Sequence, residues 1–95
     1  MTGLDPLIHE AARLRIVVAL NECQACDFNF LLGTTGLTRG NLSVHMQKLV
    51  AAAYVAETKE FQDRRPHTTY RLAEAGKRAY RQYLGAWKAI TKGKP

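Results

Sequence analysis

The amino-acid sequence predicts a mainly α-helical fold with one small β-hairpin. Apolar residues recur at helical spacing in the first, middle and last parts of the chain, and two β-branched, aromatic runs lie between the middle and last helices. The 95 residues suit a single domain, and the 46% share of apolar residues is typical of a globular fold. A chain of this length buries only about 60–65% of its unfolded surface, so oligomerisation would add stability.

The chain is basic, and this narrows the classes of partner. Fourteen Lys and Arg against eight Asp and Glu give a net charge of +6, which favours nucleic acid ahead of an anionic membrane surface. No apolar run approaches the roughly 20 residues of a membrane span, and the N-terminus lacks a signal-peptide pattern, so we expect a cytoplasmic protein without a membrane partner. We also expect no enzyme, because nucleophile elbows, phosphate-binding glycine loops and suitably spaced carboxylate pairs are absent.

The first helix is predicted to begin at Asp5 and Pro6, with an N-cap acceptor followed by proline at the first helical position. Its predicted core-facing stripe is Leu7, Ala11, Leu14 and Val18, widened by Ile8, Ala12, Ile16 and Ala19. The helix should end near Asn21 or Glu22, and the following segment ECQACD is interpreted as a loop.

A helix-turn-helix is predicted over about residues 27–53. Asp27 can cap a helix with the sequence FNFLLGTT, and Gly36 occupies a position where a left-handed residue ends a helix. Thr38 can cap the next helix, which should run from Arg39 to Ala53. Leu42, Met46, Leu49 and Val50 are spaced to face inward.

The outward face of this second helix is rich in hydrogen-bonding and basic groups, and the helix contains no acidic residue. Arginine can bind guanine, asparagine and glutamine can bind adenine, and one helix fits the major groove of duplex DNA. An acidic side chain there would repel phosphate. The alternative is an ordinary solvated face. The predicted DNA contacts are Thr38, Arg39, Asn41, Ser43, Val44, His45, Gln47 and Lys48.

A two-stranded antiparallel hairpin is predicted over about residues 54–72, with strands at Tyr54–Phe61 and His67–Leu72 joined by the polar turn QDRRP. Arg64 and Arg65 lie at its tip and suit the narrow, negatively charged minor groove. His67 flanks the tip and is predicted to lie near phosphate. The alternative is a turn that serves only solubility.

The last helix is predicted over about residues 73–91, followed by a frayed basic tail, TKGKP. Its apolar stripe is too large for a helix left in water, so it is predicted to form a homodimer interface. The alternative is that the stripe packs on the first helix of the same chain. The predicted interface residues are Tyr80, Tyr83, Leu84, Trp87 and Ile90.

The order of these elements, and the segments LDPLIHEAARLRIVVAL, GLTRGNLSVHMQKLVAAAYV and RRPHTTYRLAEAGKRAY, resemble a winged helix-turn-helix transcriptional regulator of the MarR/ArsR type. The resemblance implies a three-helix core with a wing, a recognition helix at residues 39–48, wing arginines at Arg64 and Arg65, and a homodimer formed by the terminal helices. One departure is VAAAYV, where Ala53 stands at a position expected to be glycine. The other is the cysteine pair.

Cys23 and Cys26 form a C-x-x-C pair that could bind a soft metal or cycle between thiol and disulfide. A metal site needs three or four ligands, and His9 and His45 are the only other soft donors in the first half of the chain. We therefore expect no metal and no cofactor, and two partly buried, reduced thiols. Sensing through the pair stays open.

The sequence thus favours a sequence-specific regulator that binds double-stranded DNA as a homodimer on an inverted repeat, its effector unknown. One alternative is a winged-helix module that docks an acidic protein. Another is the same regulator gated by metal or redox chemistry at Cys23 and Cys26. A membrane-surface role ranks last.

Overall fold

The computed structural model describes residues 3–92 and confirms the predicted fold class of helices with a small antiparallel hairpin. Within that range no helix combines the length and apolar character that crossing a membrane requires. The elements in chain order are α1 (Ala11–Cys23), β1 (Cys26–Asp27), α2 (Phe28–Thr35), α3 (Arg39–Ala51), β2 (Val55–Gln62), β3 (Arg65–Leu72) and α4 (Glu74–Lys92).

The core lies between the first three helices and is closed by the sheet and by the first half of α4. Ile16 of α1, Leu31 of α2 and Leu42 of α3 are fully buried together, with Leu72 of β3 and Tyr83 of α4 on the closing side. Each buried side chain of this size stabilises the fold by about 1.5–3 kcal/mol. The burial of one face of α3 leaves its opposite face pointing outward.

The start of α1 differs from the prediction, because Asp5 caps a separate turn. Its carboxylate accepts a hydrogen bond from the Leu7 amide at 2.8 Å, and its carbonyl accepts from the amides of Ile8 and His9. Glu10 then adopts an extended backbone and caps α1 by accepting from the Arg13 amide at 2.8 Å. The helix therefore begins at Ala11, and it extends slightly further than predicted, to Cys23.

The interpretation of ECQACD as a loop is wrong at its end, where Cys26 and Asp27 form the short strand β1. These residues lie opposite Tyr70 and Thr69, giving an antiparallel sheet with the strand order β1-β3-β2. Asp27 also caps α2, as predicted, by accepting from the Phe30 amide at 2.8 Å. A two-residue strand has no period of its own, so its pairing depends on β3.

The turn between α2 and α3 agrees with the sequence prediction. Gly36 has a φ of 73° and a ψ of 11°, in the left-handed region, and its amide donates to the Leu32 carbonyl. The Thr35 hydroxyl donates to the Leu31 carbonyl at 2.7 Å. Thr38 caps α3 as predicted.

The end of α3 is a Schellman turn built on an alanine. The helix ends at Ala51, two residues before the predicted end. The Ala53 amide then donates to the Val50 carbonyl at 2.9 Å, and the Tyr54 amide donates to the Leu49 carbonyl at 3.0 Å. Ala53 has a φ of 64°, where a residue with a Cβ is disfavoured by about 1–2 kcal/mol. The missing glycine noted in the sequence therefore leaves strain at this turn.

The hairpin is longer and its turn tighter than predicted. Gln62 lies opposite Arg65, so only Asp63 and Arg64 form the turn, with φ angles of 51° and 65°. Positive φ at both central residues matches the twist of the flanking strands. Arg64 thus lies in the turn, whereas Arg65 and Pro66 belong to β3.

The start of α4 lies against Tyr54, the residue that precedes β2. The Ala73 amide donates to the Tyr54 carbonyl at 3.0 Å, and a Cβ on Gly76 would collide with that same carbonyl. The helix then runs to Lys92, so Thr91 and Lys92 of the predicted tail are helical. Residues 93–95 of that tail lie outside the described range.

Candidate nucleic-acid interface

The outward face of α3 is exposed, polar and free of acidic residues. Leu42, Met46 and Leu49 are buried, and the segment from Gly36 to Ala56 contains no Asp or Glu. The Thr38 hydroxyl accepts from the Asn41 amide at 3.2 Å, which fixes the first turn of the helix. The predicted contact residues that lie exposed on this face are Thr38, Arg39, Asn41, Val44, Gln47 and Lys48.

Arg39 lies against α2 through two contacts. Its Nη2 donates to Oδ1 of Asn29 at 3.2 Å, and its guanidinium carbon lies 5.8 Å from the centre of the Phe28 ring. Both contacts restrict a long side chain that would otherwise be mobile. The two helices of the helix-turn-helix therefore present one shared polar edge, to which Asn29 contributes although the sequence did not indicate it.

His45 does not lie on the outward face, in contrast to the prediction. It is three residues after the buried Leu42, so its side chain turns toward α1 and is only 18% exposed. Arg13 Nη1 donates to His45 Nδ1 at 3.1 Å, and Glu10 Oε1 lies 4.0 Å from the same atom. The Arg13 amide that donates to Glu10 lowers the pKa of that carboxyl below its ordinary value. His45 thus links α3 to α1.

Ser43 lies in a cleft between α3 and the sheet rather than on the open face. The cleft has a volume of about 320 Å³ and is also lined by Gln47, Glu57 and Tyr70. Burial raises the pKa of the Tyr70 hydroxyl above its ordinary value, and the neighbouring Glu57 carboxylate adds to the effect. The acidic Glu57 marks the limit of the basic, acid-free surface on this side.

The hairpin tip carries two exposed arginines, as predicted. Within residues 3–92, neither Arg64 nor Arg65 forms an ion pair. His67 is half-buried and lies opposite Glu60, so it belongs to the strand rather than the tip. Phe61 is 75% exposed and lies opposite Pro66. The sequence had assigned Phe61 only to a strand, and its exposure adds an apolar side chain to the tip.

The predicted dimer stripe of α4 divides into two parts. Tyr83 is only 4% exposed, and a hydrogen bond of 2.9 Å joins its hydroxyl to His9 Nδ1 of the same chain. Tyr80 packs against the same core, so these two residues follow the alternative of packing within the chain. Leu84, Trp87 and Ile90 are 42%, 46% and 52% exposed. The distal half of α4 therefore keeps an uncovered apolar surface.

Cys23 and Cys26 are joined by a disulfide, whereas the sequence had suggested two reduced thiols. Cys26 is buried and Cys23 is half-buried. In the described part of the chain, no group of three or more His, Cys, Asp or Glu residues is arranged to hold a metal ion.

Residues 12–91 match the family model described as a winged helix DNA-binding domain, and the chain belongs to this family. The match covers the helix-turn-helix, the hairpin and nearly all of α4. It confirms the resemblance to winged helix-turn-helix transcriptional regulators that the sequence indicated.

Comparison with known proteins agrees with this assignment. The chain is similar to a transcriptional regulator homologue from Pyrococcus horikoshii OT3, with a TM-score of 0.82 and 28% identity, covering 92% of this chain and 86% of that one. An uncharacterized protein from Methanocaldococcus jannaschii is 28% identical over 78 residues, which are 82% of this chain and 85% of the relative. Diamide-treated YodB from B. subtilis has a TM-score of 0.81 at 15% identity, covering 94% and 88% of the two chains, and shows the shared fold alone.

Proposed function

We propose that the protein is a transcriptional regulator that binds a specific sequence of double-stranded DNA as a homodimer on an inverted repeat. The observation that carries the proposal is the exposed, acid-free face of α3 within a winged helix-turn-helix. A solvated helix face normally mixes acidic and basic groups, whereas a face that meets phosphate excludes acids.

Recognition of bases is assigned to the middle of α3. Asn41 and Gln47 are exposed amides, and an amide can donate to N7 and accept from N6 of adenine in the major groove. Lys48 and the Thr38 hydroxyl suit phosphate oxygens at the edges of the groove. We assign supporting roles rather than base contacts to Ser43 and His45, because Ser43 lies in a cleft and His45 contacts α1.

Arg39 is assigned to a phosphate near the junction of α2 and α3. Its contacts with Asn29 and Phe28 fix the guanidinium at the N-terminal end of α3, where the helix dipole also favours an anion. The held geometry therefore supports positioning of the duplex rather than base reading.

The hairpin tip is assigned to the minor groove beside the recognition site. Arg64 and Arg65 are exposed cations without acidic partners in the described chain, and narrow minor grooves attract arginine. Phe61 adds an exposed ring next to these charges. Phosphate contacts from the tip would add affinity that depends little on sequence.

The homodimer is assigned to the distal half of α4. Leu84, Trp87 and Ile90 are roughly half exposed, and an apolar patch of that kind is costly in water unless a partner covers it. A two-fold dimer would present two copies of α3 about 34–36 Å apart, which matches successive major grooves on one side of a duplex. The predicted target is therefore an inverted repeat.

Selection of bound sequences from random duplex DNA tests the proposal most directly. We expect a palindromic consensus whose half-sites are centred about 10 base pairs apart, or a multiple of that spacing. If the protein contacts about 6–10 phosphates, its affinity should fall by roughly 10³–10⁵ between about 50 and 200 mM salt. Equal binding to all duplexes, together with tight binding to an acidic protein, would instead favour the interaction-module hypothesis.

A further inference from the structure

The disulfide between Cys23 and Cys26 closes a small ring at the junction between α1 and the helix-turn-helix. Cys23 is the last residue of α1, and Cys26 is the first residue of β1. Cys26 is buried, whereas Cys23 lines a mainly apolar groove of about 810 Å³ between α1 and α2. One sulfur is thus reachable from the surface and its partner is not.

The ring encloses a strained backbone turn. The Ala25 amide donates to the Cys23 carbonyl at 2.7 Å, and Gln24 between them has a φ of 67° and a ψ of −58°. This is a γ-turn with a positive φ at its centre, a rare and strained form. A glutamine does not favour that conformation by itself, and the disulfide closes the ring around this residue.

The position of the ring connects it to the proposed DNA-binding elements. Cys26 lies opposite Tyr70 of β3, which belongs to the hairpin. The next residue, Asp27, caps α2 and starts the helix-turn-helix. A change of backbone at Gln24 and Ala25 would therefore be transmitted to both α2 and the sheet within two residues.

We propose that Cys23 and Cys26 are a reversible two-electron thiol switch, in which the bridged form holds the γ-turn and favours DNA binding. In the reduced form Gln24 leaves the positive-φ region and the pairing of β1 with β3 weakens. The regulatory part of this inference rests on the proposed function. A protein that binds DNA would work in the cytosol or nucleus, where disulfides are usually transient and catalytic or redox-sensing.

Hydrogen peroxide is the oxidant in the proposed switch. The Cys23 thiolate attacks one peroxide oxygen, the O–O bond breaks, and Cys23 sulfenic acid and one water form after protonation. The Cys26 thiolate then attacks the Cys23 sulfur, the S–S bond forms, and the sulfenic oxygen leaves as a second water. The two thiols lose two electrons to the peroxide. Two glutathione molecules reverse the step by exchange and become glutathione disulfide.

Equilibration of the purified protein in glutathione buffers tests the switch without DNA. Mass spectrometry after alkylation would give the bridged fraction at each ratio of reduced to oxidised glutathione. We expect a full transition within the range of these buffers. A protein that stays bridged, or stays reduced, at every ratio would overturn the proposal.

Two glycine variants test whether the γ-turn is coupled to the bridge. Gln24→Gly removes the penalty for positive φ, so we expect its bridged form to be favoured about 5- to 10-fold relative to the natural chain. Ala25→Gly is the matched control, because it changes the same ring at a residue without positive φ. Equal shifts in the two variants would show that the turn is not strained by the bridge, and would overturn the coupling.

Hydrogen exchange and DNA binding test whether reduction of the disulfide changes β1, α2 and the sheet. We expect the amides of Ala25, Cys26 and Asp27 to exchange faster after reduction, and affinity for the selected duplex to fall on the order of tenfold. Cys23→Ser/Cys26→Ser should bind like the reduced protein and ignore peroxide. Unchanged exchange would overturn the switch, and unchanged affinity would overturn its regulatory role. If neither redox state binds a specific duplex, the proposed function is wrong. The hydrogen-exchange and glutathione measurements would still decide whether the switch exists.

Discussion

The outward face of α3 and the distal face of α4 are both exposed helix surfaces, but they have opposite chemistry. The α3 face carries amides, hydroxyls and cations, and water can satisfy these groups when no partner is bound. The α4 face carries the apolar side chains of Leu84, Trp87 and Ile90, whose exposure to water is unfavourable. The contrast fits the proposed roles, in which α3 meets DNA and the distal half of α4 meets a second copy of the chain. Substitutions on the two faces should therefore separate DNA binding from assembly.

The largest effect is expected at the centre of the apolar face. Trp87→Glu would place a carboxylate in the proposed dimer interface, and loss of a central tryptophan typically costs about 2–4 kcal/mol. We expect dimer dissociation to become roughly 30- to 1,000-fold easier in analytical ultracentrifugation. Affinity for the inverted repeat should fall with it, toward that of a single half-site.

Ala89→Glu is the matched control for this prediction. It introduces the same charge on the same helix, at an exposed residue about 160° around the axis from Trp87 at a helical 100° per residue. The control should remain dimeric. If the Trp87→Glu protein stays dimeric at the same concentrations, the distal half of α4 is not the dimer interface. The proposed difference in role between the two faces would then be wrong.

A smaller effect is expected when an acid is placed on the polar face. Gln47→Glu keeps the shape of the side chain but adds a negative charge where phosphate and base edges are expected. We expect specific affinity to fall by about 1–3 kcal/mol in titrations with labelled duplex, while the dimer is unchanged. Gln82→Glu makes the same substitution at an exposed position of α4 and should cost much less. Similar losses in the two variants would mean that α3 does not face the DNA.

The smallest effect is expected at the turn that ends α3, which lies outside both faces. Ala53→Gly removes the positive-φ strain of about 1–2 kcal/mol but adds freedom to the unfolded chain. We expect the free energy of unfolding to rise by about 0.5–1 kcal/mol in denaturant titrations. Ala52→Gly, at a φ of −83°, should instead lower stability by about 0.5–1 kcal/mol. A result in which Ala53→Gly is the less stable variant would refute the strain.

Most of the fold was predictable because its signals are local. Gly36 and Thr38 mark the turn and cap of the helix-turn-helix, and the structure places both as expected. The hairpin was predicted from alternating residues, but its turn is shorter, because Arg65 and Pro66 can pair in β3 as well as lie in a loop. Local patterns leave such boundaries open.

The residue types of the candidate site could be predicted from the sequence, but their arrangement in space could not. The absence of acids on α3 is visible in the sequence, whereas the contacts that turn His45 toward Arg13 and Arg39 toward Asn29 join residues 32 and 10 positions apart. The division of the α4 stripe likewise depends on the bond between Tyr83 and His9, 74 positions away. Periodicity places such residues on one face but does not say which of them find a partner in the same chain.

The sequence by itself determined the helices, the glycine turn, the hairpin and the basic, acid-free character of α3, because each follows from residue spacing, capping and charge over a few positions. Only the tertiary structure decided that β1 pairs with β3, that Tyr83 belongs to the core and Trp87 to the surface, and that a strained turn lies inside the Cys23–Cys26 ring. These features depend on contacts between backbone and side-chain groups that are distant in the sequence. Burial and hydrogen bonding determine which face of an element is covered, and the local pattern does not distinguish these faces.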